Sequence, residues 1–384
     1  MHRLSLVVVA CACAATFAQP LTGLGLLPSG VPSGAAGGPR FDMAAGGLTF
    51  VKGTYRWQSG SWQTLNPGTG RTFTAHGVSG DGAVVVGEVV DSLAQPFATS
   101  SSVAWRSNVF NTLESSQTFL GQDVAVFANN DGSVILAHHT DVGQGFLARR
   151  RFSWNGTSYI NSSWAVNDDL GQNFGSADEQ GYRGISDLGT AALGYNIGPL
   201  GNDTYATRLA TSAGPAFDRP ASITFPSSGI NVIFERAFPT AISGNGNVII
   251  GRYEWSVLGS VPSSGDSPFR WTAAGGTVLV PAMPLGTEMD FDGEFTAAGA
   301  VIYNATTNTA LPVATFLTGF GVNVSGWSSL NCTEISSDGL TFSGIGSHTT
   351  SSGTVSEIWY VTIPSPASAT LCLAGLAAGL RRRR

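Results

Sequence analysis

One phrase recurs along this chain and constrains its fold more than any other feature. It runs small residue, apolar residue, Ser, then Asp-Gly or Asn-Gly, then an apolar run ending in Gly. The copies are His76-Gly-Val-Ser-Gly-Asp81-Gly82-Ala-Val-Val-Val-Gly87, Val126-Phe-Ala-Asn-Asn-Asp131-Gly132-Ser-Val-Ile-Leu-Ala137 and Gly184-Ile-Ser-Asp187-Leu-Gly-Thr-Ala-Ala-Leu-Gly194. They continue as Ala241-Ile-Ser-Gly-Asn245-Gly246-Asn-Val-Ile-Ile-Gly251 and Glu334-Ile-Ser-Ser-Asp338-Gly339-Leu-Thr-Phe-Ser-Gly344. A degenerate copy surrounds Asp292-Gly293 and is followed by Ala300-Val-Ile-Tyr303. The turn residues stand at 81, 131, 187, 245, 292 and 338, so the period is 46 to 58 residues. Asp-Gly or Asn-Gly between two apolar runs is the strongest short-range hairpin signal, because a tight primed turn needs positive φ at both central residues. Each copy therefore predicts a hairpin.

A second phrase, built on Trp, alternates with the first. It reads Tyr55-Arg-Trp57-Gln-Ser-Gly60, Ala104-Trp105-Arg106, Phe152-Ser-Trp154-Asn-Gly156, Phe269-Arg-Trp271-Thr-Ala-Ala-Gly275 and Glu357-Ile-Trp359, with weaker copies at Thr207-Arg-Leu209 and Ala314-Thr-Phe316. This phrase reads as a third strand that a Gly turns into a fourth. Four short antiparallel strands per ~50 residues make one propeller blade. A single blade cannot bury both faces, but stacked blades can, so the five Trp are expected between neighbours as core. The expected fold is an all-β propeller of four-stranded blades. Seven Trp phrases favour seven blades, and six Asp-Gly phrases leave six open. A β-solenoid competes, but its repeats are usually much shorter.

The alternation of the two phrases resembles the extracellular HAF-repeat proteins of bacteria and covers most of residues 50 to 363. The resemblance implies an extracellular setting and carries no biochemical role.

Both ends of the chain read as targeting segments. Met1-His2-Arg3 is a short basic start, Leu4 to Ala15 is apolar, and Thr16-Phe17-Ala18 offers small residues for a signal peptidase. Residues 1–18 are thus expected to be a signal helix, cut between Ala18 and Gln19. Val8-Val9-Ala10 before Cys11 leaves a lipoprotein reading open. Residues 19–45 are rich in Gly, Pro and Ala and read as a flexible leader, and residues 46–363 as the propeller. After Ile363 the pattern breaks at Pro364-Ser365-Pro366. Ala367 to Leu380 is apolar, and Arg381, Arg382, Arg383 and Arg384 close the chain. The apolar stretch would span roughly 21 Å as a helix, short of a ~30 Å hydrocarbon core, which suits a transient inner-membrane contact. The order of these parts resembles the PEP-CTERM sorting signal, with Ser365 in place of its Glu. That resemblance implies an exosortase-like enzyme as processing partner and delivery to the cell surface or the exterior.

Charge and chemistry narrow the function. The chain holds 19 basic and 25 acidic residues, a net −6. Five of the basic ones, Arg3 and Arg381 to Arg384, lie in the two targeting segments, so the body carries 14 against 25, or −11. An acidic body does not attract phosphate backbones, and nucleic acid is not an expected partner. Of the four cysteines, Cys11 and Cys13 lie in the signal and Cys372 in the tail, which leaves Cys332 as a buried small hydrophobe with nothing to pair with. His76, His138, His139 and His348 form no metal-ligand spacing. The Gly-x-Ser-x-Gly elbow is absent, since Gly77-Val-Ser79-Gly80-Asp81 fails at its last position. Asp290-Phe-Asp292-Gly293-Glu294 lacks the remaining ligands of a calcium loop and reads as a turn. Ser336 to Phe342 approaches the Asp-box of sialidases but is one residue short. Arg149-Arg150-Arg151 reads as a solvated edge. Trp62, Trp164, Trp255 and Trp327 lie outside the main phrases and are candidates for an exposed aromatic patch, with packing the plainer reading. No catalytic set, cofactor or metal site is expected.

The leading expectation is a non-catalytic exported surface or matrix protein, not an enzyme, binding exopolysaccharide or another surface protein. The alternative is a secreted carbohydrate-active enzyme, a hydrolase or lyase. Two carboxylates about 5 to 10 Å apart in the central channel, one with a raised pKa, would favour the alternative.

Overall fold

The computed structural model describes residues 19–35, 41–44, 46, 48–94, 98–115, 121–141, 146–162, 169–170, 182–197, 203–210, 214–217, 232–257, 263–272, 274–286 and 288–363. The signal segment with Ala18, the triplet Pro364, Ser365 and Pro366, the apolar tail, and Arg381 to Arg384 lie outside the described residues, as does Trp164.

The strands form six hydrogen-bonded sheets, and the chain is an all-β propeller of four-stranded blades. The first sheet is the meander Phe41–Met43, Thr49–Lys52, Tyr55–Gln58, Ser61–Thr64, and the second runs from Arg71–Val78 to Val109–Ser115. The third spans Gly121–Ala128 to Tyr159–Asn161, with Asp169–Leu170 added beside Phe146–Trp154. The fourth has eight strands, from Tyr182–Ile185 to Gly276–Leu279. The fifth runs from Glu288–Met289 to Thr309–Pro312, and the sixth from Trp327–Ile335 to Gly353–Thr362. Counted by strand pairing the propeller has six blades, not the seven favoured from the Trp phrases. A two-residue parallel ladder, Asp203 with Glu235 and Thr204 with Arg236, merges two four-stranded runs into the eight-stranded sheet.

The sixth sheet gains its fourth strand from the start of the chain. Thr22–Gly23 pairs with Tyr360 and Trp359. Leu24 N–H donates to Ile358 O (2.9 Å) and Ile358 N–H to Ser33 Oγ (3.0 Å). Leu21 and Leu24 are buried. The expectation of a flexible leader over 19–45 is therefore corrected: residues 19–35 close the ring, because an edge strand left open in the last blade has backbone groups to satisfy, and Phe41–Met43 already belongs to the first sheet. Lys52, the only lysine, is buried and holds this strap through Ser33 O (2.7 Å) and Ala35 O (3.4 Å).

The Asp-Gly phrases are hairpins, with a different turn from the one expected. Gly82, Gly132, Gly246 and Gly339 have φ between 64° and 72°, while the Asp or Asn before each does not have positive φ. Gly82 N–H donates back to Ser79 O (2.8 Å), which makes a longer loop ending in a left-handed Gly. The Ser and Asp side chains support it. Ser79 Oγ accepts from Val84 N–H (2.9 Å) and donates to Asp81 Oδ1 (2.6 Å), which also accepts from Ala83 N–H (2.9 Å). Ser243 with Asn245 and Ser336 with Asp338 repeat this pattern. The Gly that ends each apolar run has its own cause. The innermost strand bulges opposite it, and a Cβ on Gly344 would come within 1.7 Å of Asn331 O.

The alternation of phrases follows from contacts between sheets. Arg56 donates to Gly82 O (2.5 Å) and lies over Trp105 (5.0 Å), both in the next sheet. Arg106 donates to Gly132 O (3.1 Å) and lies over Trp154 (4.8 Å), again one sheet on. Arg270 donates to Gly293 O (3.4 Å). Each such Arg reaches the turn of the following sheet, and two of the three lie over its Trp as well. Trp57, Trp105, Trp271 and Trp359 are buried as core, while Trp154, expected with them, is half-buried under Arg106. The weak Trp-type copy at Ala314-Thr-Phe316 is corrected. It lies in the short helix Val313–Gly319, which starts after Pro312 and buries Val313, Phe316 and Leu317 at helical spacing. Among the described residues no helix is long and apolar enough to cross a membrane.

Candidate functional site

The first hairpins of the sheets meet at one mouth of the propeller through backbone hydrogen bonds. Gly46 N–H donates to Gly80 O (2.7 Å), Asp81 to Asn130 O (2.7 Å), Asn130 to Asp187 O (2.9 Å), and Asp187 to Gly244 O (2.8 Å). Asn245 N–H continues to Phe291 O (2.9 Å) and Phe291 N–H to Ser337 O (2.9 Å). The turn residues Asp81, Gly82, Asp131, Gly132, Asn245, Gly246, Asp338 and Gly339 sit on this rim. Their role in it is structural: Asp131 Oδ1 accepts from Ser133 N–H (2.9 Å), and Asn245 Nδ2 donates to Asp292 Oδ1 (3.1 Å).

Two carboxyls stand out on this rim. Asp187 accepts from Ser337 Oγ, 150 residues away in sequence and three turns away around the ring, so this bond bridges the mouth. Burial pushes the Asp187 carboxyl above the usual range, against the pull of the Ser337 hydroxyl. A Cβ on Gly244 would lie 2.5 Å from Asp187 Oδ2 and 2.8 Å from the Phe291 ring, so the carboxyl occupies space that a missing side chain leaves. Gly244 N–H also faces Asp290 O (3.4 Å).

Asp290 is buried and fills the slot that Ser79, Ser186, Ser243 and Ser336 fill elsewhere. Its Oδ1 accepts from Phe295 N–H (3.1 Å), as the hydroxyls do from their own strands. Desolvation raises its pKa to about 6, with Glu294 and Asp292 adding like charge. A carboxyl in a slot built for a hydroxyl is the signal that could have found it, in the degenerate copy Met289-Asp290-Phe-Asp292-Gly293. Asp187 carries no such mark, because its partner Ser337 belongs to a distant repeat.

The other candidates do not join this site. His348 stacks on Trp327 (centroids 4.2 Å, planes 3° apart) and its Nδ1 meets Glu357 Oε2 at 2.7 Å. Glu357 also accepts from Gly25 N–H. His76 sits at a bulge in the second sheet. Trp62 Nε1 donates to Leu24 O (2.9 Å) and is half-buried. Arg150 pairs with Glu114 (3.4 Å) and Arg151 donates to Ser162 Oγ (2.9 Å), which replaces the solvated edge with partners. Cys332 is fully buried. Among the described residues no group of three His, Cys, Asp or Glu could hold a metal ion.

The fold and this rim define a β-propeller with a pair of desolvated carboxyls at one mouth. No protein-family model matches the chain, and no curated protein does. Among solved structures it resembles oligogalacturonate lyase from Vibrio parahaemolyticus, with 11% identity and a TM-score of 0.50, over 90% of this chain and 94% of that one. It also resembles the β-propeller domain of the Trilobed protease from Pyrococcus furiosus (12%, TM-score 0.42, 74% and 82% covered). A third likeness is to a putative dipeptidyl aminopeptidase IV from Bacteroides ovatus (10%, TM-score 0.40), where 86% of this chain spans about half, 52%, of the other. At these identities the likeness is one of fold. The expectation of a non-catalytic scaffold that is not an enzyme is corrected at this point: over 90% of the chain the fold is shared with a lyase, so the repeated scaffold from which that expectation was drawn does not carry it.

Proposed function

We propose that the chain is an exported carbohydrate-active enzyme, a hydrolase or lyase on a propeller scaffold, with Asp290 and Asp187 as its working carboxyls. The observation that carries this reading is the placement of two desolvated carboxyls on the rim of one mouth, both held above the usual carboxylate range. A carboxyl with a pKa of about 6 holds its proton at mildly acid pH and can deliver it to a leaving glycosidic oxygen. A second carboxyl on the same rim is the group that glycoside cleavage asks for on the other side of the bond. Asp187, oriented by Ser337, takes that part.

The test is release of reducing ends, or of an unsaturated-sugar chromophore, from a panel of glycans. The wild type is expected to be active, and Asp290→Asn and Asp187→Asn each to lose about 10²-fold or more. Inactivity of the folded wild type across the panel, or full activity in the double variant, sinks the reading.

Delivery belongs to the same reading. Cleavage between Ala18 and Gln19 exports the protein, and an exosortase-like enzyme cuts near Pro366, so exopolysaccharide at the cell surface is the material met first. Intact mass of the native product decides this, since a species retaining Arg381 to Arg384 means a permanent tail.

A further inference from the structure

A cavity of about 760 Å³ lies where the ring closes, between the N-terminal strap, the first sheet and the last. Its floor is aromatic. Trp57 and Tyr360 line it and pack 5.6 Å apart, with Phe50 behind them at 5.4 and 5.5 Å. Trp57 is buried and Tyr360 half-buried, so the tyrosine ring is the accessible surface. The strap residues Thr22 to Gly25 form one wall, and the exposed Gln58 stands on another. A third of the lining is glycine, namely Gly23, Gly25, Gly46, Gly60 and Gly80.

Among the described residues Asp81 is the only charged side chain in its lining, and the Arg56 guanidinium acts on it from behind the turn. Asp81 Oδ1 serves the turn through Ser79 and Ala83, which leaves Oδ2 to accept from a ligand. Arg56, on the same strand as Trp57, points to the next sheet, to Gly82 O and Trp105. A polyuronate here would bring carboxylates against Asp81 with no cation among the described lining residues to receive them. Sugar rings without charge present CH faces to an aromatic ring and hydroxyls to carboxylate and backbone groups.

We infer that this cavity is a subsite for an uncharged glycan chain. Its place on the rim fits that role: Asp81 N–H bonds Asn130 O, and Asn130 N–H bonds Asp187 O, so the cavity lies two turns from Asp187. The assignment of the glycan as substrate rests on the enzyme reading above. Its binding does not.

The test is calorimetric titration of the full mature protein with neutral glucose, mannose and N-acetylglucosamine oligomers, and with oligogalacturonate as the charged control. At least one neutral oligomer is expected to bind, and oligogalacturonate not to. Gln58→Trp fills the cavity from an exposed position, and Tyr360→Leu removes the ring. Each is expected to weaken neutral binding about tenfold or more. Asp81→Asn keeps the turn, as Asn245 does in its own copy, and is expected to admit oligogalacturonate. Tighter binding of oligogalacturonate than of any neutral oligomer overturns the inference, as does neutral binding that Gln58→Trp leaves intact, or no binding at all. Binding without turnover leaves the subsite standing and removes the enzyme reading. Turnover indifferent to Gln58→Trp does the reverse.

Discussion

Replacing Asp290 by asparagine isolates the one carboxyl that stands where four other copies of the repeat hold a serine and one holds Asn129. The side chain is buried, and its pKa rises from 3.8 to about 6 chiefly because burial strips water from the charged form. Below pH 3.8 the carboxyl is protonated in folded and unfolded chain alike, and the fold bears no cost. As pH rises through about 6 the folded protein must ionise it in a place that disfavours charge, and stability falls. The gap amounts to about 3 kcal/mol at 1.36 kcal/mol per pKa unit. Asparagine keeps the acceptor for Phe295 N–H, and Asn129 already does this work for Val134 N–H at 2.8 Å in the third sheet. Asp290→Asn is therefore expected to match the wild type near pH 4 and to exceed it by up to about 3 kcal/mol near pH 7, read as the midpoint of urea unfolding. It is also expected to lose catalysis, so stability and activity move in opposite directions. Parallel pH profiles for the two proteins, or a less stable variant at neutral pH, refute the reasoning.

Gly244→Ala places a methyl 2.5 Å from Asp187 Oδ2 and is expected to destabilise by about 1–3 kcal/mol in thermal unfolding, displacing Asp187 and lowering activity with it. Arg106→Lys loses the planar stack on Trp154 and the donor pattern shared by Gly132 O and Tyr159 OH, and is expected to lose about 1–2 kcal/mol. Removing residues 19–25 unpairs the last blade and should lower the melting temperature more than any point change here, with slower compaction by scattering as a second readout. Cys332, fully buried with its thiol pKa pushed far up, should react with a thiol reagent only on unfolding; rapid labelling of the native protein contradicts its placement.

The alternation of the two phrases was enough to read an all-β propeller, its hairpins and its Trp core, because each signal is local: a left-handed Gly, a Ser and Asp that satisfy their own turn, an apolar run. Even the blade count was nearly legible, and it failed on one ladder, Asp203 with Glu235, that no repeat phrase encodes. The strap was hidden because a Gly- and Pro-rich stretch has little periodicity, and its order comes from partners such as Lys52 and Ile358. The carboxyl pair was half visible. Asp290 broke the pattern of its slot, but Asp187 looked like every other turn residue.

By itself the sequence determined the repeating unit, since hydrogen bonds within one turn and apolar alternation along one strand depend only on near neighbours in the chain. Tertiary structure alone decided which units share a sheet, which end closes the ring, and that Asp187 meets Ser337 across 150 residues. Those outcomes depend on how each blade is rotated against the next, and that rotation is set by packing between repeats, which no single repeat contains.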